Sequence, residues 1–175
     1  MADEPDSAEV VFEGPVFSVA RERWPGADHP YDVARHIGAA AVLPVTPEGD
    51  VLLVRQFRPP IRPELVEIPA GLLDGDGEDA LTTAARELFE ETGYRHDAIE
   101  FLGGVFTTAG FSNEYVHLFW ARTTPEPETE PEDGITLLRK PFHEMVVAAK
   151  AGRVRDAKTA LAVLLAEARG IGGSG

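Results

Sequence analysis

The 175-residue chain contains no cysteine, which excludes a disulfide framework, a thiolate nucleophile and a zinc–thiolate site. The sequence has no apolar run that approaches the length of a membrane span. Its acidic first residues, MADEPDSAEVV, lack the basic and apolar regions of a signal peptide. These absences predict a cytoplasmic protein that does not enter a membrane.

Positive charge is scarce, because 16 basic residues stand against 30 acidic ones and give a net charge of −14. Such a field repels nucleic acid and anionic membranes, so we expect neither as a partner. It also repels free nucleotides unless metal ions and local arginines reverse the sign at a site. Any nucleotide site in this chain is therefore expected to hold cations.

The length and a hydrophobic content of 43% suit one domain with an ample core. We predict that this domain covers residues 10–169 and begins with strands within 10–35. Residues 1–9 and 170–175 are predicted to be a disordered acidic tail and a flexible tail. Strands and helices interleave without regular βαβ spacing, which predicts an α/β protein with a mixed sheet packed between helices.

Short strands are predicted where apolar residues alternate or run together between turn residues. They are one or two strands in 10–24, the end of 31–44, and 51–57, 65–69, 99–106, 115–121 and 135–139. Late helices are predicted at 142–151 and 156–169, the second with Asp156 as its N-cap. The acidic stretch 123–133 is rich in proline and threonine and is predicted to be a mobile surface loop.

A central helix is predicted over residues 79–92, because apolar residues recur there at helical spacing and Gly93 follows as a cap. At 3.6 residues per turn, Glu87 and Glu91 lie on one face with Glu90 beside them. Arg86 lies one turn before Glu90 and is expected to pair with it.

Carboxylates clustered in this way repel one another, and a hard divalent cation such as Mg²⁺ would offset the repulsion. The alternative is an exposed acidic helix face with Arg86 as its only partner. The residues before the helix distinguish the two readings, because an apolar run, Ile68-Pro69-Ala70-Gly71, leads into a glycine-rich loop over residues 72–77.

Six residues separate Gly71 from Glu78, seven more lead to Arg86, and the segment 86–93 reads RELFEETG. This arrangement resembles the Nudix box, with one additional loop residue and with Tyr94 in place of the usual aliphatic residue. The resemblance implies a Nudix α/β/α sandwich with an N-terminal β extension. It also implies metal-dependent hydrolysis of a small-molecule nucleoside diphosphate.

Three further segments resemble the ADP-ribose pyrophosphatase branch of that family: residues 56–58 (QFR), 67–71 (EIPAG) and 110–114 (GFSNE). Ala109 stands where the branch has a marker proline. The branch resemblance implies hydrolysis of a nucleoside diphosphate sugar, with ADP-ribose giving AMP and ribose 5-phosphate.

The resemblance assigns the metal to Glu87, Glu90, Glu91 and the Ala70 carbonyl. The expected ion is Mg²⁺, with Mn²⁺ as a possible substitute. Arg86 would orient Glu90 or a neighbouring carboxylate.

The general base of the branch usually comes from the acidic loop before the last strand. Glu130, Glu132 and Asp133 occupy that loop here, and Glu132 is the predicted base.

Substrate contacts are predicted for Arg58, Phe57, Glu67, Gly110 and Phe111. The guanidinium of Arg58 can bind phosphate oxygens in a bidentate manner, although it could also be an ordinary surface arginine. Phe57 could stack on a base or belong to the core. Glu67 could hold a water or a ribose hydroxyl, or it could pair with a nearby arginine.

The sequence leaves alternatives for both the oligomeric state and the function. Members of the branch commonly dimerise through an N-terminal extension, so residues 10–24 are predicted to form a homodimer and to contribute to the partner's substrate site. A monomer whose strands cover its own sheet is the alternative. Other functions compatible with the sequence are a Nudix nucleoside triphosphate pyrophosphatase and a non-catalytic nucleotide-sensing module.

Overall fold

The structure, a computed structural model, describes residues 4–73 and 78–172, and ten strands and three helices lie within them. The strands are β1 (Ser7–Glu13), β2 (Phe17–Arg23), β3 (Tyr31–His36), β4 (Ala39–Val45), β5 (Asp50–Phe57), β6 (Glu64–Glu67), β7 (Ala70–Leu72), β8 (His96–Phe106), β9 (Tyr115–Thr123) and β10 (Thr136–Pro141). The helices are α1 (Ala80–Thr92), α2 (Phe142–Lys150) and α3 (Ala157–Ala168).

The larger sheet is built around β4, in which every residue is buried. Its strand order is β10-β5-β4-β9-β8, with β6 paired to β5 and β7 paired to β4. Strand β4 pairs in parallel with β9 and antiparallel with β5 and β7. The sheet is therefore mixed, as the sequence predicted.

Helices cover both faces of this sheet because successive side chains of β4 point to opposite faces. Leu43 belongs to a core that includes Val146 of α2 and Val163 of α3. Val42 belongs to a second core that includes Leu88 of α1. The predicted α/β/α sandwich is confirmed, and α1 lies alone on one face.

The strands β1, β2 and β3 form a separate antiparallel sheet at the N-terminus. Its last strand, β3, is hydrogen-bonded to the loop between β8 and β9. The N–H of Ala34 donates to the Phe111 carbonyl at 2.7 Å, and the N–H of His36 donates to Asn113 Oδ1 at 2.7 Å. The N-terminal sheet therefore fixes the segment that contains two of the predicted substrate residues.

The predicted caps Gly93 and Asp156 are confirmed, and the structure adds Asp79 as the N-cap of α1. The Asp79 side chain accepts from the N–H of Thr82 at 2.8 Å, and Gly93 has the left-handed φ of 76° that ends α1. The Asp156 side chain accepts from the N–H of Thr159 at 3.0 Å and caps α3. No helix among the described residues has the length and apolar character needed to cross a membrane.

One predicted boundary was wrong. Strand β1 begins at Ser7, inside the segment predicted to be a disordered tail, because residues 7–13 pair with β2. The strand predicted at the end of 31–44 is β4, and Gly38, with a φ of +93°, lies between it and β3 of the other sheet.

The predictions for the two tails and for the glycine-rich loop concern residues that the structure describes only in part. Ile171 packs against the core beside α2 and α3, although residues 170–175 were predicted to be a flexible tail. Residues 1–3 and 173–175 lie outside the described residues. So does the 74–77 part of the predicted glycine-rich loop.

Candidate active site

The site is organised by the contact between β7 and the last turns of α1. The N–H of Ala70 donates to Glu91 Oε2 at 3.2 Å, and Gln56 Nε2 lies 3.5 Å from Glu91 Oε1. Glu91 is only 6% exposed. The buried carboxylate of Glu91 is therefore fixed next to the sheet by one backbone donor and one side-chain amide donor.

Gly71 allows Glu87 to approach the backbone of β7. A Cβ atom at position 71 would lie 1.8 Å from Glu87 Oε1, which no side chain could tolerate without moving Glu87. The glycine of the predicted motif is therefore explained by close approach. Together, Ala70 and Gly71 bring strand β7 against two of the predicted metal ligands.

Arg86 links the carboxylates of α1 to one another. Its Nη1 lies 2.7 Å from both Glu87 Oε1 and Glu90 Oε2, and its Nε lies 3.2 Å from Glu78 Oε2. The predicted pair with Glu90 is confirmed. The contact with Glu78 was missed, although the motif fixes the spacing of the two positions, with seven residues between them.

The carboxylates of this site carry more negative charge than their surroundings neutralise. Burial, and to a smaller extent the neighbouring charge of Glu87, raise the pKa of Glu91 to about 7. Burial also raises the pKa of Glu87, although Arg86 acts in the opposite direction. Both side chains would be more easily ionised beside an additional cation.

The donor set is suited to a hard divalent ion, because Glu87, Glu90 and Glu91 offer only oxygen atoms. Within residues 4–73 and 78–172, however, no three His, Cys, Asp or Glu side chains already converge on one metal position. Arg86 contacts two of the three predicted carboxylate ligands. A bound cation would therefore compete with Arg86 for Glu87 and Glu90.

Glu132, the predicted general base, lies beside this cluster. Its backbone N–H donates to the Glu90 carbonyl at 3.0 Å. Its charge contributes to the raised pKa of Glu87, so the two carboxylates are close in space. The side chain is exposed, which leaves it accessible to water.

Glu67 is fully buried and its two oxygens contact two different cations. Arg58 Nε donates to Glu67 Oε1 at 2.8 Å, and Lys158 Nζ contacts Oε2. Lys158 also contacts Asp156 at 3.0 Å. The structure thus gives Glu67 the ion-pair partner that the sequence left as an alternative.

The contact of Lys158 with Glu67 was missed, because Lys158 lies 91 positions later in the chain and no local pattern connects the two residues.

The predicted aromatic contacts are exposed. Phe57 is 59% exposed and Phe111 is 61% exposed, so neither belongs to the core. Phe111 and Gly110 line a cavity of about 660 Å³ together with Trp24 and Tyr31 of the N-terminal region. The structure therefore places Glu87 and Glu91 against β7, and Gly110 and Phe111 against the N-terminal sheet.

Comparison with known proteins identifies the family of this chain. The NUDIX domain family matches residues 34–162. The methanol dehydrogenase activator of Bacillus methanolicus is 38% identical over 136 residues, which cover 75% of this chain and 73% of that protein. The ADP-ribose pyrophosphatase of Bacillus subtilis (strain 168) is 37% identical with the same coverage.

A further relative differs in its named substrate. The GDP-mannose pyrophosphatase of Yersinia enterocolitica is 32% identical over 145 residues, which cover 77% of this chain and 75% of that protein. The matched region contains both helix α1 and the segments on either side of it. The chain therefore belongs to the NUDIX domain family.

Proposed function

We propose that this protein hydrolyses the pyrophosphate bond of a nucleoside diphosphate sugar. ADP-ribose is the preferred substrate and gives AMP and ribose 5-phosphate. The observation that carries the proposal is the placement of Glu87 and Glu91 of α1 against Ala70 and Gly71. Relatives named as ADP-ribose and GDP-mannose pyrophosphatases support this substrate class.

Nudix hydrolases generally use divalent metal ions, and we propose Mg²⁺ here, with Mn²⁺ as a substitute. Glu87, Glu90, Glu91 and the Ala70 carbonyl would hold the metal. When bound, it would neutralise charge on the diphosphate and make a phosphorus atom more electrophilic. The oxygen-only donor set and the raised pKa values of Glu87 and Glu91 support this assignment.

The protein's own residues would supply the proton transfer and the positioning. Glu132 would accept a proton from the water that attacks phosphorus. A new oxygen–phosphorus bond would form as the bond to the bridging oxygen breaks, and the second phosphate would leave with that oxygen. Arg86 would hold Glu90 in place through their 2.7 Å contact.

Arg58 would bind the diphosphate. Within the described residues only its Nε is bonded, to Glu67, so the terminal nitrogens can donate to phosphate oxygens. Glu67 fixes the orientation of the guanidinium in this arrangement. The exposed rings of Phe57 and Phe111 would contact the nucleoside or the distal sugar, with Gly110 leaving room beside them.

We further propose a homodimer formed through the N-terminal sheet, with β1 contributing to the partner's substrate site. Every residue of β1 is exposed, including Val10 at 60% and Phe12 at 50%. Exposed apolar residues on a sheet are a typical feature of an interaction surface.

Light scattering tests this assembly. The wild-type protein should have a dimer mass, and Val10→Glu should shift it to the monomer without lowering the stability of the fold. A wild-type monomer mass at all concentrations would contradict the dimer.

The net charge of −14 supports the expectation that neither nucleic acid nor an anionic membrane is a partner. The cytoplasmic location stays a prediction.

A substrate panel with Mg²⁺ and with Mn²⁺ tests the function. We expect AMP release from ADP-ribose, with slower cleavage of ADP-glucose and GDP-mannose. Efficient pyrophosphate release from nucleoside triphosphates, with no cleavage of any of the three sugars, would favour the triphosphatase alternative. Binding of ADP-ribose without turnover would favour a nucleotide sensor.

A further inference from the structure

A second cavity lies on the face of the sheet that carries α2 and α3. Its volume is about 590 Å³, and its walls come from β5, β6, β10, α2 and the connection between α2 and α3. Small-molecule sites in proteins have volumes of roughly 300–1,000 Å³. The cavity is therefore large enough to take a small ligand.

The cavity is separate from the carboxylates of α1 that are proposed to bind metal. Leu53 and Met145, which line it, belong to the core between the sheet and helices α2 and α3. Helix α1 packs with the core on the other face of the sheet, through Ala84 and Leu88. A ligand in this cavity would be separated from the proposed metal ligands by the sheet.

The inner wall of the cavity is apolar, whereas its charged residues lie at the exposed edge. The apolar lining residues are Leu53, Leu65, Val66, Met145, Val147, Ala148 and Val154. Three cations, Lys140, Arg153 and Arg155, also line it, and each has an exposed side chain. A ligand that fits both regions must have an apolar body and a charged or polar group.

The cations of this rim have no side-chain partner among the described residues. Among residues 4–73 and 78–172, Lys140, Arg153 and Arg155 form no side-chain hydrogen bond or ion pair. By contrast, Lys150 of the same helix layer is bonded to Glu167 at 2.6 Å. Three unpaired cations in one place are notable in a chain with a net charge of −14.

The two carboxylates of the rim are partly balanced by other groups. Glu64 lies 4.0 Å from Arg55, which is outside the cavity. Glu144 lies in the first turn of α2, where the helix dipole favours a negative charge. The rim therefore has a local excess of positive charge and is suited to an anion.

We propose that this cavity binds a small amphipathic anion, with its apolar body against Leu65 and Val154 and its anionic group at Lys140, Arg153 and Arg155. The anionic group is a carboxylate or a phosphate, since both accept hydrogen bonds from arginine in the same way. The proposal is independent of the reaction at α1, because its test measures binding.

Isothermal titration calorimetry on the full chain tests the ligand class with four probes: octanoate, octyl phosphate, octanol and inorganic phosphate. Octanoate or octyl phosphate should bind at least about tenfold more tightly than octanol, which lacks the charge, and than phosphate, which lacks the apolar body. The relative affinity of the two amphipathic anions identifies the preferred head group. Equal binding of octanol and both anions would overturn the proposal, as would absence of binding by either anion.

Variants locate the site. Replacing Arg153 and Arg155 together by Gln should weaken the preferred anion by on the order of tenfold. Arg122→Gln is the matched control, because Arg122 is an exposed arginine of β9 outside the cavity, and it should bind as the wild type does. Ala148→Trp should fill the cavity and abolish binding. Unchanged affinity in the double variant and in Ala148→Trp would place the ligand elsewhere and overturn the proposal.

Discussion

Two buried carboxylates near β7 have opposite surroundings. Glu67 is 1% exposed and contacts both Arg58 and Lys158. Glu91 is 6% exposed, and its partners are the Ala70 N–H and the Gln56 amide, with a pKa raised to about 7 chiefly by burial. They are close enough for the charge of Glu67 to raise the pKa of Glu91.

This difference predicts different roles for the two carboxylates. The negative charge of a buried carboxylate with two cationic partners is stabilised without any ligand. A buried carboxylate whose hydrogen-bond donors are all neutral lowers the stability of the fold unless a cation binds beside it. Both residues were predicted as site residues from the sequence. From these partners we predict that Glu67 stabilises the fold and positions Arg58, whereas Glu91 binds a metal ion.

The largest effect is expected on catalysis when the carboxylates of α1 lose their charge. Glu91→Gln and Glu87→Gln keep the side-chain shape and should each lower kcat by on the order of a hundredfold or more with Mg²⁺. In the absence of metal their melting temperature should be equal to or above that of the wild type, because a buried repulsion is removed. Steady-state AMP release and thermal unfolding measure the two effects.

The control for these variants is Glu128→Gln, since Glu128 pairs with Arg95 on the exposed surface. It should retain wild-type activity. Near-normal turnover in both Glu87→Gln and Glu91→Gln would rule out the metal assignment.

Glu67→Gln should have the opposite effect on stability, with a lower melting temperature than the wild type in the absence of metal. The change leaves Arg58 and Lys158 facing a neutral amide, and breaking a largely buried ion pair costs about 3 kcal/mol. For a chain of this size, that corresponds to a fall in Tm of about 6–12 °C. Thermal unfolding without metal measures the change, and a Tm at or above the wild-type value would contradict the structural role of Glu67.

The two cations bound to Glu67 can be distinguished in the same way. Arg58→Met should raise KM for ADP-ribose by on the order of tenfold, because it removes a proposed phosphate donor. Lys158→Met should lower Tm and leave KM within about twofold of the wild type, because Lys158 contacts Glu67 and Asp156 rather than substrate. Similar KM values for the two variants would mean that Arg58 is only a structural partner.

The smallest effect is expected far from both carboxylates. Ala109 follows Thr108, whose carbonyl accepts from the N–H of Phe111 at 3.2 Å, so Ala109 occupies the second position of a turn. Proline is favoured there, and Ala109→Pro should sharpen the preference for ADP-ribose over ADP-glucose and GDP-mannose by about two- to fivefold. Ratios of kcat/KM measure this preference, and unchanged ratios would show that the loop does not select the sugar.

The part of the site that the sequence predicted well is local. Helix α1, its Gly93 cap and the Arg86–Glu90 pair depend on residues within one continuous segment. Spacing along a helix determines which side chains meet, so the motif was sufficient to predict them.

Long-range contacts were less accessible from the sequence. Nothing near Glu67 indicated Lys158, since their meeting depends on how α3 packs against the sheet. The division of residues 31–44 between two sheets depends on a positive φ at Gly38, which an apolar run alone does not reveal. These features require the tertiary arrangement rather than a local pattern.

The parallel pairing of β4 with β9 also constrains the order in which the molecule can fold. Ala39 pairs with Val116, so this parallel neighbour of β4 is synthesised only after β5, β6, β7, α1 and β8. Until then, an apolar strand that is buried on both faces in the native protein lacks one of its partner strands, and closure of so long a loop is slow. A nascent chain that pauses before β9 would expose β4 to aggregation.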